Sequence, residues 1–354
     1  MNYYIYFAIV GVILSFGATW WLRKICVANN FALAPVRERD VHKSPVPRIG
    51  GVAIWTTFWA IIFAITIIKP ELVSFSGKKM LGIDENLLGL FLAGLVWFIV
   101  GIYDDLRELK PWKKLVAQFV CGALIVGFGI NIWWITNPFG GPLIILGNWN
   151  YLVVPIWVVM MMNVFNWFDG IDGLTPSIST ISLAILFMLA INPAVNQPTT
   201  ALFCIVLGAV VLGFLPWNWN PAKIFLGDVG SGFLGLMIAT FAIISGAKLA
   251  TAILVLGLPI LDFIVVIVGR LVAHKSIFSA DQTHLHHRFL QAGFSVKQTV
   301  FIISLISLGF GIVALYSQTA GKVTAFLWLI AIMAIILIGL FILNKKKIWT
   351  KKQN

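Results

Sequence analysis

Residues 87–130 read LLGLFLAGLVWFIVGIYDDLRELKPWKKLVAQFVCGALIVGFGI. Residues 87–103 carry no charge, and neither do residues 115–130. Between them lie Asp104, Asp105, Arg107, Glu108, Lys110, Lys113 and Lys114. Each uncharged run approaches the roughly 20 residues that a helix needs to cross a hydrocarbon core about 30 Å thick. Inside lipid the backbone must satisfy its own hydrogen bonds, so such a run is helical. The stretch therefore predicts two membrane helices joined by a short charged loop.

The same pattern recurs in both directions. Apolar runs at about 3–22, 52–68, 87–103, 115–130, 151–167, 177–191, 201–215, 232–246, 250–269, 299–316 and 323–343 predict eleven spans. Of the 354 residues, 60% are hydrophobic and 11% charged, against about 25% charged in a soluble domain. A soluble enzyme, a secreted disulfide scaffold and a disordered chain are excluded. Cys26, Cys121 and Cys204 form no motif, and two of them lie in apolar runs as small core residues. The predicted fold is an all-α polytopic membrane protein, one domain over 1–354, with no internal repeat.

No basic residue precedes the first run and Arg23-Lys24 follow it, so it is not a cleavable signal peptide. The N-terminus is then outside, and segments 23–51, 104–114, 168–176, 216–231, 270–298 and 344–354 are cytoplasmic. These hold 20 Lys and Arg, while the outside segments hold 5. Basic residues accumulate on the cytoplasmic side, so the split predicts the orientation and puts the C-terminus in the cytoplasm. The net charge of +12 is accordingly a signature of topology, not of nucleic-acid binding. Nine of the 13 acidic residues and all 5 histidines fall on the same side, which topology alone does not require. Residues 131–150, rich in Gly, Pro and Trp, read as an outside hairpin or interfacial loop with Trp at the headgroup level.

The cytoplasmic segments carry five constellations. Asp104 and Asp105 end span 3. Neighbours on a helix point about 100° apart, which suits two separate jobs, one on a metal and one on a substrate, or else a solvated helix end. In NVFNWFDGIDGL (163–174), Asn163, Asn166, Asp169 and Asp172 recur every third residue. Gly170 and Gly173 are expected to end that helix and turn the carboxylates toward a pocket. In FLGDVGS (225–231), Asp228 and Ser231 are candidates to cap span 8, whose N-terminus would favour a phosphate. No G-K-[ST] follows, so this is not a Walker loop. His284, His286, His287 and Arg288 suggest zinc, anionic phosphate or sugar binding, or an interfacial structural role; Cys and acidic partners of a closed zinc site are lacking nearby. Before span 2, HKSPVPRIGG (42–51) offers Lys43 and Arg48 as cations. Asp262 lies inside span 9, three residues after Pro259, where a kink or break is expected.

Carboxylates for a divalent cation, cations for phosphates and turn glycines on one membrane face fit phosphoryl-type transfer from a soluble diphosphate to a lipid phosphate. Mg²⁺, using few protein carboxylates, would bridge diphosphate oxygens. With GIYDDLRELK…KLVAQ, NVFNWFDGIDGL, FLGDVGS and HLHHRFLQAGFS in order, residues 40–300 resemble the prokaryotic polyprenyl-phosphate N-acetylhexosamine-1-phosphate transferases.

The resemblance implies transfer of N-acetylglucosamine 1-phosphate from UDP-N-acetylglucosamine to undecaprenyl phosphate, with UMP leaving, in the cell membrane of a prokaryote. It implies a cofactor, Mg²⁺ or in its place Mn²⁺, held by Asp228 and Asp105. One of Asp104 and Asp105 is implied as the base or a metal-proximal group. Asn163, Asn166, Asp169 and Asp172 would line the nucleotide pocket, and Phe225 would stack on uracil. His284, His286, His287, Arg288, Lys114 and Arg48 would meet sugar and phosphates, and span 9 would flank the lipid groove. A homodimer is allowed; a nucleic-acid partner is not expected.

Leu285 interrupts the histidine run and Arg288 follows it, unlike the branch that uses UDP-N-acetylmuramoyl-pentapeptide for peptidoglycan. That favours the branch initiating teichoic acid, O-antigen or similar wall polymers. DGLTPSIS after the second motif departs from the usual glycine-containing stretch and implies altered packing of span 6. The competing classes are a polytopic transporter or lipid flippase, which usually has midplane polar sites and repeated halves, and a CDP-alcohol phosphotransferase, whose pattern of aspartates is not found.

Overall fold

A computed structural model describes residues 2–34, 45–137, 140–244, 249–276 and 283–351. His42 and Lys43 lie outside the described residues. Among the described residues, thirteen helices follow in chain order: α1 (Asn2–Ala28), α2 (Gly50–Ile68), α3 (Glu85–Arg107), α4 (Pro111–Gly127), α5 (Asn150–Phe168), α6 (Leu174–Ala190), α7 (Pro198–Asn218), α8 (Gly227–Ile244), α9 (Leu249–Val255), α10 (Gly257–Val272), α11 (Leu285–Ala292), α12 (Val296–Tyr316) and α13 (Thr319–Lys351). Three antiparallel hairpins join some of them: β1 (Leu33–Ala34) with β2 (Val46–Pro47), β3 (Lys79–Met80) with β4 (Ile83–Asp84), and β5 (Trp134–Ile135) with β6 (Ile144–Ile145). The last pair lies in the 131–150 segment, where a hairpin or an interfacial loop is expected, and Trp133, Trp134 and Ile145 are exposed there.

Each expected apolar run falls mainly on helix. Eight described helices are long and apolar enough to cross a membrane, nine when a bent pair is taken as one span. The runs at 115–130 and 177–191 form α4 and α6, of 17 residues each. At 1.5 Å per residue these are about 25 Å long. The chain is an integral membrane protein, and α1 and α13 present large exposed apolar side chains such as Ile9, Ile13, Ile338 and Phe341.

Several polar residues of these helices bond close by in the chain. Asp84 caps α3: its Oδ1 accepts from Asn86 N at 3.0 Å and Leu87 N at 3.2 Å, while its Oδ2 accepts from Phe75 N at 3.0 Å and Ser76 N at 2.9 Å. In α6, Ser177, Ser179 and Ser182 donate to the carbonyls of Gly173, Thr175 and Ile178, four residues back. Leu174–Ser179 of DGLTPSIS thus form the buried start of α6.

α8 is the centre of the bundle. All residues from Gly227 to Ile243 are buried, among α2, α3, α5, α6 and α7. Small residues allow these approaches. A methyl group on Gly51 would strike Gly230, and one on Gly101 would lie 2.8 Å from Val229 Cα. α8 is therefore pressed against α2 and α3 at the end that carries the FLGDVGS motif.

Span 9 is not one helix. α9 and α10 meet at 79° around Leu256. The break falls three residues before Pro259, because proline has no N–H to donate and fits the first turn of α10.

Candidate active site

Asp104 and Asp105 end α3 and diverge, as adjacent helical residues must. Asp104 is 4% exposed. Its Oδ1 accepts from Leu109 N at 2.6 Å, closing the turn into α4, and its Oδ2 pairs with Lys114 in the first turns of α4. Asp105 turns instead to the start of α8. Its Oδ1 accepts from Asp228 N at 2.7 Å and its Oδ2 from Val229 N at 3.2 Å. Those N–H groups have no partner within their own helix. The cap of α8 is thus Asp105, from another helix, and not Asp228 or Ser231 as the sequence suggested.

Asp228 projects into the site in consequence. Its Oδ2 lies 2.7 Å from Lys114 Nζ, and its Oδ1 accepts from Asn166 Nδ2 at 2.5 Å. Asn166 also donates to Ser231 Oγ at 3.3 Å. The Arg48 guanidinium completes the cluster, 3.7 Å from Asp228 Oδ1 and 3.6 Å from Asp105 Oδ1. Three carboxylates and two cations from four separate chain segments are brought together.

Arg48 is placed by its loop. Phe225 N donates to Pro47 O at 2.8 Å, and Gly50 N and Gly51 N donate to Phe225 O and Leu226 O at 2.9 and 2.7 Å. The loop before α2 is thereby zipped to the loop before α8. The Phe225 side chain is partly buried there.

The second motif divides. α5 ends at Phe168 with Asp169 as its C-cap, one residue before Gly170. Gly173, at φ +78°, opens α6. Only Asn166 reaches Asp228. Asn163 lies a turn deeper and donates to Gln118 Oε1 of α4 at 2.7 Å. Asp172 accepts from Asn220 Nδ2 at 2.9 Å and Ala222 N at 3.0 Å, so it orders the loop after α7. Burial raises the Asp169 carboxyl to about 7, opposed in part by nearby Thr175 and Arg48 and reinforced by Asp105 and Asp172.

The histidine motif forms α11 and its cap. His284 Nδ1 is 2.9 Å from Asp262 Oδ2. His286 is 1% exposed, stacks nearly parallel on His284 at 5.7 Å and meets Phe168 edge-on at 6.0 Å. Its Nε2 presses on Gly170, leaving no room for a methyl group there. Burial, then the neighbouring His287 and His284, hold the His286 ring well below the usual histidine range. His287 sits 4.3 Å from His286, and Arg288 Nε donates to Thr283 O at 2.6 Å.

Among the described residues, no three His, Cys, Asp or Glu side chains converge as a metal site. Mg²⁺ needs less: one or two carboxylates, with substrate and water oxygens completing the shell. The Lys114 ammonium already lies between Asp104 and Asp228, so a cation fits between that pair. The donors there are oxygens, which suit Mg²⁺. Asp105 has both oxygens on backbone N–H groups, so the better-placed carboxylate beside Asp228 is Asp104.

Sequence reasoning missed three contributors. Gln118 holds Asn163. Trp97, two turns before Asp104, donates its indole N–H to Asp228 O at 3.0 Å. Trp167 packs edge-on against His284 at 5.7 Å. Large apolar residues in an apolar run give no signal of this kind, although a buried indole N–H usually finds an acceptor.

A helical bundle in the membrane, with carboxylates, cations and amides gathered at the ends of α3, α5 and α8, defines an integral membrane phosphotransferase. Comparison with known proteins agrees. Residues 87–246 match glycosyl transferase family 4. A probable undecaprenyl-phosphate N-acetylglucosaminyl 1-phosphate transferase of Bacillus subtilis is 31% identical over 80% of this chain and 76% of its own. A decaprenyl-phosphate N-acetylglucosaminephosphotransferase of Mycobacterium tuberculosis is 31% identical over 84% and 79%. An undecaprenyl-phosphate alpha-N-acetylglucosaminyl 1-phosphate transferase of Escherichia coli is 26% identical over 88% and 83%. This chain belongs to glycosyl transferase family 4.

Proposed function

We propose that the protein transfers N-acetylglucosamine 1-phosphate from UDP-N-acetylglucosamine to undecaprenyl phosphate, releasing UMP, as the first membrane step of a surface polysaccharide. The observation that carries this is the meeting of Asp104, Asp105, Lys114, Asn166, Asp228 and Arg48 in one network, in a chain whose relatives are named for this sugar phosphate and polyprenyl acceptors. Eleven spans, an outside N-terminus, a cytoplasmic C-terminus and a cytoplasmic site complete the proposal, supported by the 20 to 5 distribution of basic residues.

Asp228 and Asp104 would hold Mg²⁺, or Mn²⁺ in its place, which neutralises diphosphate charge when bound. Lys114 and Arg48 bind phosphate oxygens, a role in which ammonium and guanidinium both serve. One of Asp104 and Asp105 would supply the base for the lipid phosphate. Asp105 also fixes the backbone from which Asp228 projects. Asn166 orients Asp228, and Asn163, a turn below, ties α5 to α4 through Gln118. Asp169, Asp172 and Phe225 border the nucleotide, Asp172 through the 219–222 loop that it orders. His284, His286, His287 and Arg288 would lie near the sugar and diphosphate.

Exchange of labelled UMP with UDP-N-acetylglucosamine, in purified protein with undecaprenyl phosphate, tests the reading. Exchange should require a divalent cation and vanish in Asp228→Ala; full activity in that variant would sink the metal assignment. A parallel screen with the galacto epimer and the muramoyl-pentapeptide donor decides the sugar. Leu285 within the histidine run favours the plain N-acetylglucosamine donor.

A further inference from the structure

Asp262 takes no part in the chemistry above, yet it is buried at 2% exposure. It lies on α10, just beyond the 79° bend. Its two oxygens serve two different donors on the histidine segment. Oδ2 is 2.9 Å from His284 Nδ1, and Oδ1 accepts from Leu285 N at 2.8 Å. Leu285 is the first residue of α11 and His284 is its N-cap. A packed wall surrounds the pair: the Trp167 ring meets His284 edge-on, and the buried Arg270 guanidinium lies 4.7 Å from the same indole.

We propose that Asp262 is the positioning residue of the histidine motif, holding the start of α11 and fixing His284 with its proton on Nδ1 and Nε2 left for substrate. A carboxylate can only accept, so the neutral imidazole must donate from Nδ1. Nε2 is then the nitrogen that takes a hydrogen bond or proton from a sugar or phosphate group, and the carboxylate stabilises the imidazolium that results. The placement on α10 ties the ring to a membrane helix and not to its own loop.

The proposal separates sharply from a packing role because an amide cannot repeat the arrangement. In Asp262→Asn the side chain would offer one acceptor oxygen to two N–H donors. With that oxygen kept on Leu285 N, the NH₂ faces Nδ1, and the imidazole proton must move to Nε2. The consequence for turnover rests on the transferase reading; the tautomer does not.

The test uses the full chain, labelled with ¹⁵N-histidine, in nanodiscs at a pH where the ring is neutral. Only 5 histidines contribute, and His284→Gln identifies the signal. The wild type should show the Nδ1–H tautomer at His284, Asp262→Asn the Nε2–H tautomer, and Asp262→Glu the wild-type form. In Asp262→Asn, kcat should fall on the order of 100-fold, with a smaller change in donor KM. The double variant with His284→Gln should be no worse than His284→Gln alone. An Nε2–H tautomer in the wild type, unchanged kcat in Asp262→Asn, or multiplying losses in the double variant would overturn the proposal. If Asp262→Asn does not fold, the wild-type tautomer and Asp262→Glu still decide it. Absence of any sugar phosphate transfer by the wild type would defeat the transferase reading and leave the tautomer result to judge Asp262.

Discussion

Lys114 is the residue on which the site's electrostatics turn. Its ammonium is shared by Asp104 and Asp228, whose side chains are 3% and 7% exposed. Lys114→Met keeps the apolar stem and leaves two buried carboxylates without their common cation. In metal-free protein this should cost about 2–4 kcal/mol of stability, as loss of one partner of a buried pair does, read by urea denaturation in micelles. Millimolar Mn²⁺ should restore more stability to Lys114→Met than it adds to the wild type. Asp169 gives a prediction in pH. Its folded carboxyl titrates near 7, above about 4 for an unfolded aspartate. The neutral form favours the fold fully below pH ~4, and that contribution is lost as pH rises toward ~7. Asp169→Asn should flatten the stability curve across that window and be the more stable of the two at pH 8. An unchanged slope would remove Asp169 as its source. The residue types in these roles were legible from the motifs. Their partners were not, because Asp105 with Val229 N, or Asn163 with Gln118, are joined only across helices.

At the scale of elements, the start of α8 is held by a side chain from α3. Asp105→Ala removes acceptors from Asp228 N and Val229 N. The loss of a cap of this kind costs about 1–2 kcal/mol. Because Asp228 moves with that turn, kcat should drop more than KM rises, measured in the UMP exchange assay. The approach of α2 to α8 is equally specific. Gly51→Ala would set a methyl group on Gly230 and force the helices apart, at about 1–3 kcal/mol, visible as a lowered melting temperature. Helix existence was legible because each apolar run exceeds what a strand or core segment needs. The break between α9 and α10 was not placed by Pro259 alone, since proline is accepted in a first helical turn and the bend falls before it. Likewise the α8 cap was assigned to Asp228 and Ser231, the nearest candidates in sequence, because no local pattern announces a cap from a distant helix.

For the whole molecule, charge distribution makes a prediction about sidedness. UDP-N-acetylglucosamine does not cross a bilayer, so UMP exchange should occur in inverted membrane vesicles and be absent from sealed right-side-out ones; the reverse outcome would overturn the cytoplasmic site. Composition and the spacing of apolar runs determined that the chain is a helical membrane protein. They did so because removing backbone from water leaves helix as the form that satisfies every N–H and C=O. The order of the motifs DD, NVFNWFDGIDGL, FLGDVGS and HLHH also carried the family resemblance. Only the tertiary structure decided which oxygen meets which donor: that Asp105 holds α8 while Asp104 faces Asp228 across Lys114, that Asp172 orders a loop, and that Asp262 serves His284. Those assignments depend on contacts between helices far apart in sequence, set by close packing around α8, and a one-dimensional pattern contains the residues of such a contact without their distance.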